Sequence, residues 1–288
     1  MVGPSDPGSI LPGPMNLLWT VLILTGAVSV AIGAMLFVRR KAPAGSYFED
    51  GDRASGVFGV LATGFAIFAG FVIFLAFTSY DQSRSGAETE GLMVFQQFET
   101  AQFLPANVRP RLTGELVCYG RSVVSKEWPS MQDGTVGAIN PWAVALFTSL
   151  KLAKPKTSVE DAAYGKWLDQ TSDREAARID RIHGAVGVIP TPLWVVLLFI
   201  SVVIFVFMLF FADRAEGAIT QAVLMGSVVS VIVAMLLLIG FLDNPFHKGV
   251  GGVRPVAMER TLDIIDQALR ATNQRVQLPC DARGNPAS

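Results

Sequence analysis

Four long uncharged runs dominate the pattern of apolar and polar positions along the chain. They cover residues 16–38, 56–79, 192–212 and 217–242. Each is close to the roughly 20 residues that a helix needs to cross about 30 Å of hydrocarbon. Because the hydrocarbon layer offers no water to backbone N–H and C=O groups, a helix is the expected state of such a run. The sequence therefore predicts four transmembrane helices.

The stretches between and after these runs show helical periodicity. Apolar residues recur every three or four positions within 80–191, and prolines divide this segment into several helices. Thr157 with Glu160 is typical of a helix start. The sequence predicts an all-α integral membrane protein with a helical soluble domain, 80–191, inserted between the transmembrane pairs 16–79 and 192–242. A turn and an amphipathic helix are expected at 243–272, with flexible termini at 1–15 and 273–288.

Composition narrows the class of protein. Apolar residues make up 51% of the chain, charged residues 16%, and the net charge is −1. Such a composition is typical of a membrane protein that contacts the lipid bilayer. Nucleic-acid binding needs clustered lysine and arginine, which the chain lacks, so no nucleic-acid partner is predicted.

Basic residues around the first helix suggest its orientation. None precedes it, whereas four follow it closely: Arg39, Arg40, Lys41 and Arg53. Because basic loops stay in the cytoplasm, the inner-membrane protein is predicted to hold its soluble domain and both termini outside the cytoplasm. Arg214 agrees with this orientation. Other basic flanking residues oppose it: Arg174, Arg178, Arg181, Lys248 and Arg254.

The two cysteines, Cys118 and Cys280, fall on the same predicted side of the membrane. If that side is oxidising, they are able to form one disulfide that ties the C-terminal tail to the soluble domain. Two free buried thiols are the alternative. No C-x-x-C motif is present.

Residues for catalysis or cofactor binding are sparse. The two histidines, His183 and His247, have no cysteine or carboxylate at metal-ligand spacing, and no nucleotide-binding or nucleophile motif occurs. Glu88 and Glu90 are two positions apart and are interpreted as solvated or capping groups. We therefore predict no enzyme activity, no metal site and no cofactor.

Small residues at four-residue spacing form a predicted helix-packing seam. It comprises Ala62, Ala66 and Gly70 in the second span and Gly226, Ser230 and Ala234 in the fourth. Small side chains let two helices approach closely in a membrane. Packing within one four-helix bundle is favoured over a contact between subunits.

Polar residues gather where the spans end. Tyr80, Asp81 and Arg84 follow the second span, and Asp243 and Asn244 follow the fourth. Anchoring at the membrane interface is the favoured interpretation. The mouth of an oligomeric pore is the alternative.

Several stretches together resemble one known family. They are FTSYDQSRSGAETE, CYGRSVVSKEWP, DREAARIDRI followed by TPLW, and GFLDNPFHKGVGGVRP. In order and spacing they resemble the bestrophin-like domain family of bacterial and plant membrane proteins, domain-of-unknown-function family 4239, over about residues 16–270. The resemblance implies a fold and a membrane location rather than a reaction.

A more distant resemblance is to bestrophins, pentameric anion channels with four spans. Asn244-Pro245-Phe246 is similar to the stretch that follows their last span, which adds Phe246 to the candidate mouth. The resemblance implies a homo-oligomer and a small anion as the conducted species. It also implies an apolar constriction at Phe68, Phe71 and Phe74. Contacts with lipid and with neighbouring helices are the favoured alternative for these rings. The acidic run of calcium-gated bestrophins is absent here, and their cytosolic bulk conflicts with the orientation derived from charge.

Two functional hypotheses follow. The first is an oligomeric ion channel, for anions, with the second span along the pathway. The second is a non-enzymatic membrane-anchored scaffold or sensor whose helical soluble domain binds a partner.

Overall fold

The computed structural model describes residues 17–136, 139–274 and 276–287. The described residues are all-helical apart from turns and one isolated bridge. The helices are α1 (Leu17–Lys41), α2 (Gly51–Ala101), α3 (Arg109–Ser122), α4 (Trp128–Gln132), α5 (Pro141–Leu150), α6 (Ser158–His183), α7 (Thr191–Phe210), α8 (Ala218–Leu242) and α9 (Val256–Ala271). The predicted flexible N-terminus, 1–15, lies outside the described residues. The all-helical prediction is confirmed.

The chain forms two compact units. The first comprises residues up to Thr78, Val188–Asp243 and His247–Gly251, and the second comprises Ser79–Gly187, Asn244–Phe246 and Gly252 onward. Four helices of the described chain, α1, α2, α7 and α8, are long and apolar enough to cross a membrane. This agrees with the four predicted spans.

Two apolar clusters hold the first unit together. In one, Ala31 and Met35 of α1 pack with Met225 and Val229 of α8. In the other, buried residues of α2 pack with residues of α7 and α8: Phe65, Ala69, Val72, Leu197, Ile204, Ile232 and Ile239. Each helix therefore keeps one face inside the unit and leaves the rest of its apolar surface outward.

Asp213 fastens the two short loops of the first unit to each other. Its Oδ1 accepts hydrogen bonds from the backbone N–H of Gly45, at 3.0 Å, and of Ala215, at 2.7 Å. These two N–H groups lower the pKa of the Asp213 carboxyl. On α1, Arg39 donates to the carbonyl oxygen of Glu216. Loop 42–50 is therefore bonded to loop 211–217.

Helix α2 does not end with the apolar run at Ser79 but continues without a break to Ala101. The polar stretch after Ser79 contains no proline and includes an Arg84–Glu88 ion pair of 3.1 Å at i,i+4 spacing, which supports a helix. Gly86 lets α6 approach closely, since a Cβ there would lie 2.7 Å from the carbonyl oxygen of Ala177. The change from apolar to polar residues at Ser79 therefore does not mark the end of helix α2.

The second unit packs around one core built from α3, α4, α5, α6, α9 and the C-terminal part of α2. Tyr119, Trp128 and Trp167 lie in this core, each at most 3% exposed. Thr157 and Glu160 form the capping box that starts α6, so the predicted helix start is confirmed. Between α3 and α4 the chain makes one π-helical turn, Val123–Glu127.

The C-terminal segment packs against the core of the second unit. Cys280 is bonded to Cys118 of α3, with an S–S distance of 2.01 Å. The indole N–H of Trp142 donates to the carbonyl oxygen of Gly284 at 2.8 Å. Residues 276–287, expected from the sequence to belong to a flexible tail, thus have specific partners. Nearby, hydrogen bonds from Asn285 lower the pKa of Asp281.

Candidate functional site

One face of α2 is turned away from the core of its own unit. Phe65 faces inward and is 4% exposed, together with Ala69, Val72 and Ala76. Phe71 and Phe74 are 59% and 61% exposed. Since each helical residue turns the chain by about 100°, these two rings point away from the inward line. The outward face of α2 is apolar, and its rings Phe71 and Phe74 do not pack in the core of their own unit.

The three residues of the predicted constriction do not share one environment. Phe68 is half-buried and packs against the cluster that includes Phe65 and Ala69. Only Phe71 and Phe74 are available to a surface outside the chain. The candidate site therefore shifts toward these two rings, with Phe68 at the border of the core.

The small-residue seam of α2 lies on the outside of the chain. Ala66 is exposed, and a Cβ added at Gly70 would meet no atom within 4 Å. The favoured interpretation, packing within one chain, is therefore wrong for these two residues, whereas Ala62 is half-buried. The inward side of α2 is used instead by larger residues such as Phe65 and Val72.

The α8 part of the seam is divided. Gly226 is buried, and a Cβ there would lie 3.2 Å from Cδ1 of Ile32 on α1. Ser230 is half-buried and Ala234 is exposed. Gly226 is thus the seam residue that meets a neighbouring helix of the same chain at close range.

The predicted mouth residues have different partners. Asp81 is exposed, and Arg84 pairs with Glu88. Asp243 is engaged in the first unit, where its Oδ1 accepts backbone hydrogen bonds from Val188, at 2.7 Å, and Ile189, at 2.9 Å.

Two further mouth residues belong to the core side of the second unit. Phe246 is fully buried, with its ring edge-on to Trp128 at 5.5 Å, so its assignment to a mouth is wrong. Tyr80 packs partly against the same core, and Asn244 is exposed.

A buried charge network occupies the interior of the second unit. Arg181 of α6 binds the carboxylate of Glu90 on α2 through two nitrogen atoms and donates to Glu127 at 2.7 Å. Tyr119 donates to Glu90 at 2.5 Å, and Asn140 donates to Glu127 at 2.8 Å. Arg181 and Glu90 have side chains that are 0% exposed. The interpretation of Glu90 as a solvated group is therefore wrong.

The network shifts the pKa values of Arg181 and Tyr119. Burial alone would lower the pKa of Arg181, but Glu90 and Glu127 raise it above its ordinary value, so the guanidinium stays charged. Burial and the neighbouring Glu90 raise the pKa of the Tyr119 phenol, which stays neutral. Arg181 and Tyr119 therefore do not exchange protons near neutral pH. Among the described residues, no group of three or more possible ligand side chains is arranged for a metal ion.

Comparison with known proteins decides the family. The model of the Bestrophin-like domain matches residues 25–258. This chain belongs to the bestrophin-like family. The bestrophin-like domain thus includes the outward face of α2 and the buried charge network.

Solved structures agree with this fold for the bestrophin-like chain. A bacterial bestrophin homologue from Klebsiella pneumoniae superposes with a TM-score of 0.61 at 13% identity, covering 90% of this chain and 100% of that one. A mutant of the homologue gives 0.59 at 13% identity, with 90% and 99% covered. A crystal structure described only as a membrane protein gives 0.59 at 14% identity, with 91% and 99% covered. No curated protein sequence matches significantly.

Sequence reasoning missed the central charges of this bestrophin-like protein. Glu90, Glu127 and Arg181 lie on different elements, far apart in the chain, so no local motif joins them. One signal was available: Glu90 and Arg181 sit on the apolar face of their helices, in register with Val94 and Ala177. A charge on a core face indicates a buried partner on another helix.

Proposed function

We propose that this bestrophin-like membrane protein is a homo-oligomeric ion channel whose conduction path is lined by the outward face of α2. The observation that carries the proposal is the exposure of Phe71 and Phe74 on the helix that also supplies Phe65 to the core. A symmetric ring of chains would bring copies of this face together around one axis. Four helices of a single chain leave little room for a water-filled path.

The small residues on the outward face support close assembly. Gly56, Gly59, Gly64 and Gly70 of α2 have no atom of the described chain within 4 Å of an added Cβ. Small residues lower the distance at which a neighbouring helix backbone is able to pack. Neighbouring copies would therefore approach along α2 while the phenylalanine rings project from it.

Aromatic rings suit an anion path with an apolar constriction. The edge of a phenyl ring is electropositive and its face electronegative, so rings that present their edges favour anions over cations. A constriction lined by apolar side chains gates by excluding water. Phe71 and Phe74 are the residues proposed for this constriction, and a small anion is the proposed conducted species.

The test combines stoichiometry with flux. Native mass measurement of the purified protein is expected to give a homo-oligomer, and liposomes containing it are expected to pass chloride. Phe71→Ala and Phe74→Ala should change the chloride flux, whereas Phe37→Ala on α1, where the ring is 58% exposed, should leave it unchanged. A monomer without flux, or equal effects of all three substitutions, would contradict the proposal.

We also propose that the second unit lies outside the cytoplasm. The Cys118–Cys280 bond is expected in an oxidising compartment. Arg174 and Arg181, which argued for the opposite orientation, are 1% and 0% exposed and bind groups inside the unit. Because these two charges are buried and compensated, they do not act as flanking charges at the membrane surface. The basic cluster 39–41 is therefore the stronger indication of orientation, and it favours a second unit outside the cytoplasm.

Single cysteines test this orientation. Ser172→Cys on the exposed side of α6 should react with a membrane-impermeant maleimide in intact spheroplasts. Ala44→Cys in the loop after α1 should react only after lysis; both residues are exposed in the chain. The reverse pattern would place the second unit in the cytoplasm.

A further inference from the structure

A cleft in the second unit runs between the C-terminal part of α2 and the segment that leads into α9. Its volume is about 730 Å³, within the range of small-molecule sites. The two helices meet closely at Gly91, where a Cβ would lie 3.2 Å from the carbonyl oxygen of Ala257. The Thr261 hydroxyl, which lines the cleft, donates to the Gly91 carbonyl oxygen at 3.0 Å, so α2 and α9 are hydrogen-bonded to each other there.

Three of the residues that line this cleft are arginines. Arg84, Arg254 and Arg260 line it, against one carboxylate, Glu88, which pairs with Arg84. Within residues 17–136, 139–274 and 276–287, the side chains of Arg254 and Arg260 have no hydrogen bond or ion pair. A guanidinium binds carboxylate or phosphate oxygens through two parallel N–H groups. The guanidinium groups of Arg254 and Arg260 are therefore able to bind an anion at the cleft.

The cleft is also lined by exposed apolar side chains, which alternate with the arginines along both helices. Leu92 is 50% exposed, Val256 59% and Ile264 38%, and Phe95 lies beside them. Val256 and Ile264 are about two turns of α9 apart, with Arg260 midway between them, and Leu92 and Phe95 lie within one turn of α2. The apolar side chains are therefore spread along the cleft rather than gathered at one point. Adjacent exposed apolar residues of this kind mark a binding surface.

We propose that this cleft binds a single-chain anionic amphiphile. Its carboxylate or phosphate head would bind Arg254 and Arg260, and its acyl chain would cover Leu92, Val256 and Ile264. A small inorganic anion would leave the apolar wall in water, and a neutral detergent would leave the guanidinium groups without an acceptor. Only a ligand with both parts contacts both the guanidinium groups and the apolar side chains. This site is independent of the proposed channel activity.

Binding of a fluorescent fatty acid, dansylamino-undecanoate, to the full-length protein in maltoside detergent tests the proposal. Probe uptake by micelles is the same for every variant, so differences in signal report on the protein. Arg254→Gln with Arg260→Gln should weaken binding at least tenfold, and Ile264→Asp should also weaken it. Arg270→Gln is the matched control, since Arg270 lies on the same helix, outside the cleft, with its side chain 80% exposed.

Competition identifies the head group and the need for a tail. Dodecanoate and dodecyl phosphate should displace the probe, and the stronger of the two identifies carboxylate or phosphate as the preferred head. Acetate, inorganic phosphate and dodecyltrimethylammonium should fail. Equal displacement by the cationic amphiphile, unchanged affinity in the double arginine variant, or exclusion of the probe by a second copy covering the cleft would overturn the proposal. Size-exclusion profiles and tryptophan emission verify that each variant is folded.

Discussion

Replacing Arg181 by methionine is expected to destabilise the second unit strongly. Arg181 is fully buried, binds Glu90 through two nitrogen atoms and Glu127 at 2.7 Å, and lies over the ring of Trp128 at 5.5 Å. Methionine keeps most of the length and removes the charge, so Glu90 and Glu127 lose their central cation in the interior. Removing one partner of a buried ion pair costs about 3–5 kcal/mol. At roughly 2–4 °C per kcal/mol, the midpoint should fall by roughly 6–20 °C.

The matched control is Arg270→Met, the same chemical change at a surface position. Arg270 pairs with Asp266 at 2.6 Å, but its side chain is 80% exposed, so its loss should cost about 0–1 kcal/mol. Thermal unfolding followed by tryptophan emission in one detergent compares the two variants. Adding Glu90→Gln to Arg181→Met should recover part of the loss, because it removes one uncompensated buried charge. Equal midpoints for the two arginine variants would refute the assignment of Arg181 as the centre of the network.

Three further predictions concern the second unit. Gly86→Ala should lower the unfolding midpoint, because its Cβ would meet a carbonyl oxygen of α6 at 2.7 Å. The control, Gly165→Ala, has open space around its Cβ and should be neutral or stabilising. Equal midpoints for the two variants would contradict the close approach of α6 to Gly86. Folding raises the pKa of Tyr119, so its contribution is complete below the unfolded pKa of about 10 and is lost as pH rises above that value. Tyr119→Phe should therefore flatten the decline of the midpoint between about pH 9 and 11, and an unchanged decline would exclude Tyr119 as its source. The double substitution Cys118→Ser with Cys280→Ser should lower the free energy of unfolding by about 2–5 kcal/mol and expose residues 276–287 to trypsin. If these residues still resist cleavage, the disulfide is not needed to hold them against the second unit.

The sequence predicted the elements whose physics is local. The four apolar spans, the capping box at Thr157 and Glu160, and helix α9 each follow from periodicity or from a few adjacent residues. The ends of helices were predicted less well. The run 56–79 ends in polarity, but helix α2 continues because polar residues without proline extend a helix as readily as apolar ones.

The candidate site depended on information that is not local. Phe68, Phe71 and Phe74 are alike in sequence, and only packing against α7 and α8 separates the half-buried Phe68 from the two exposed rings. Glu90 resembled its exposed neighbour Glu88 until α6 placed Arg181 against it. Phe246 was assigned by resemblance to a segment, which fixes position along the chain but does not give the direction of the ring.

The channel proposal is tested most directly by a single cysteine on the outward face of α2. Both native cysteines are paired in the structure, so Phe74→Cys introduces one reactive thiol. In proteoliposomes, a bulky methanethiosulfonate reagent is expected to block chloride flux through the Phe74→Cys protein and to leave flux unchanged through Phe37→Cys. Modification of Phe74→Cys that leaves chloride flux intact would contradict a conduction path along this face of α2.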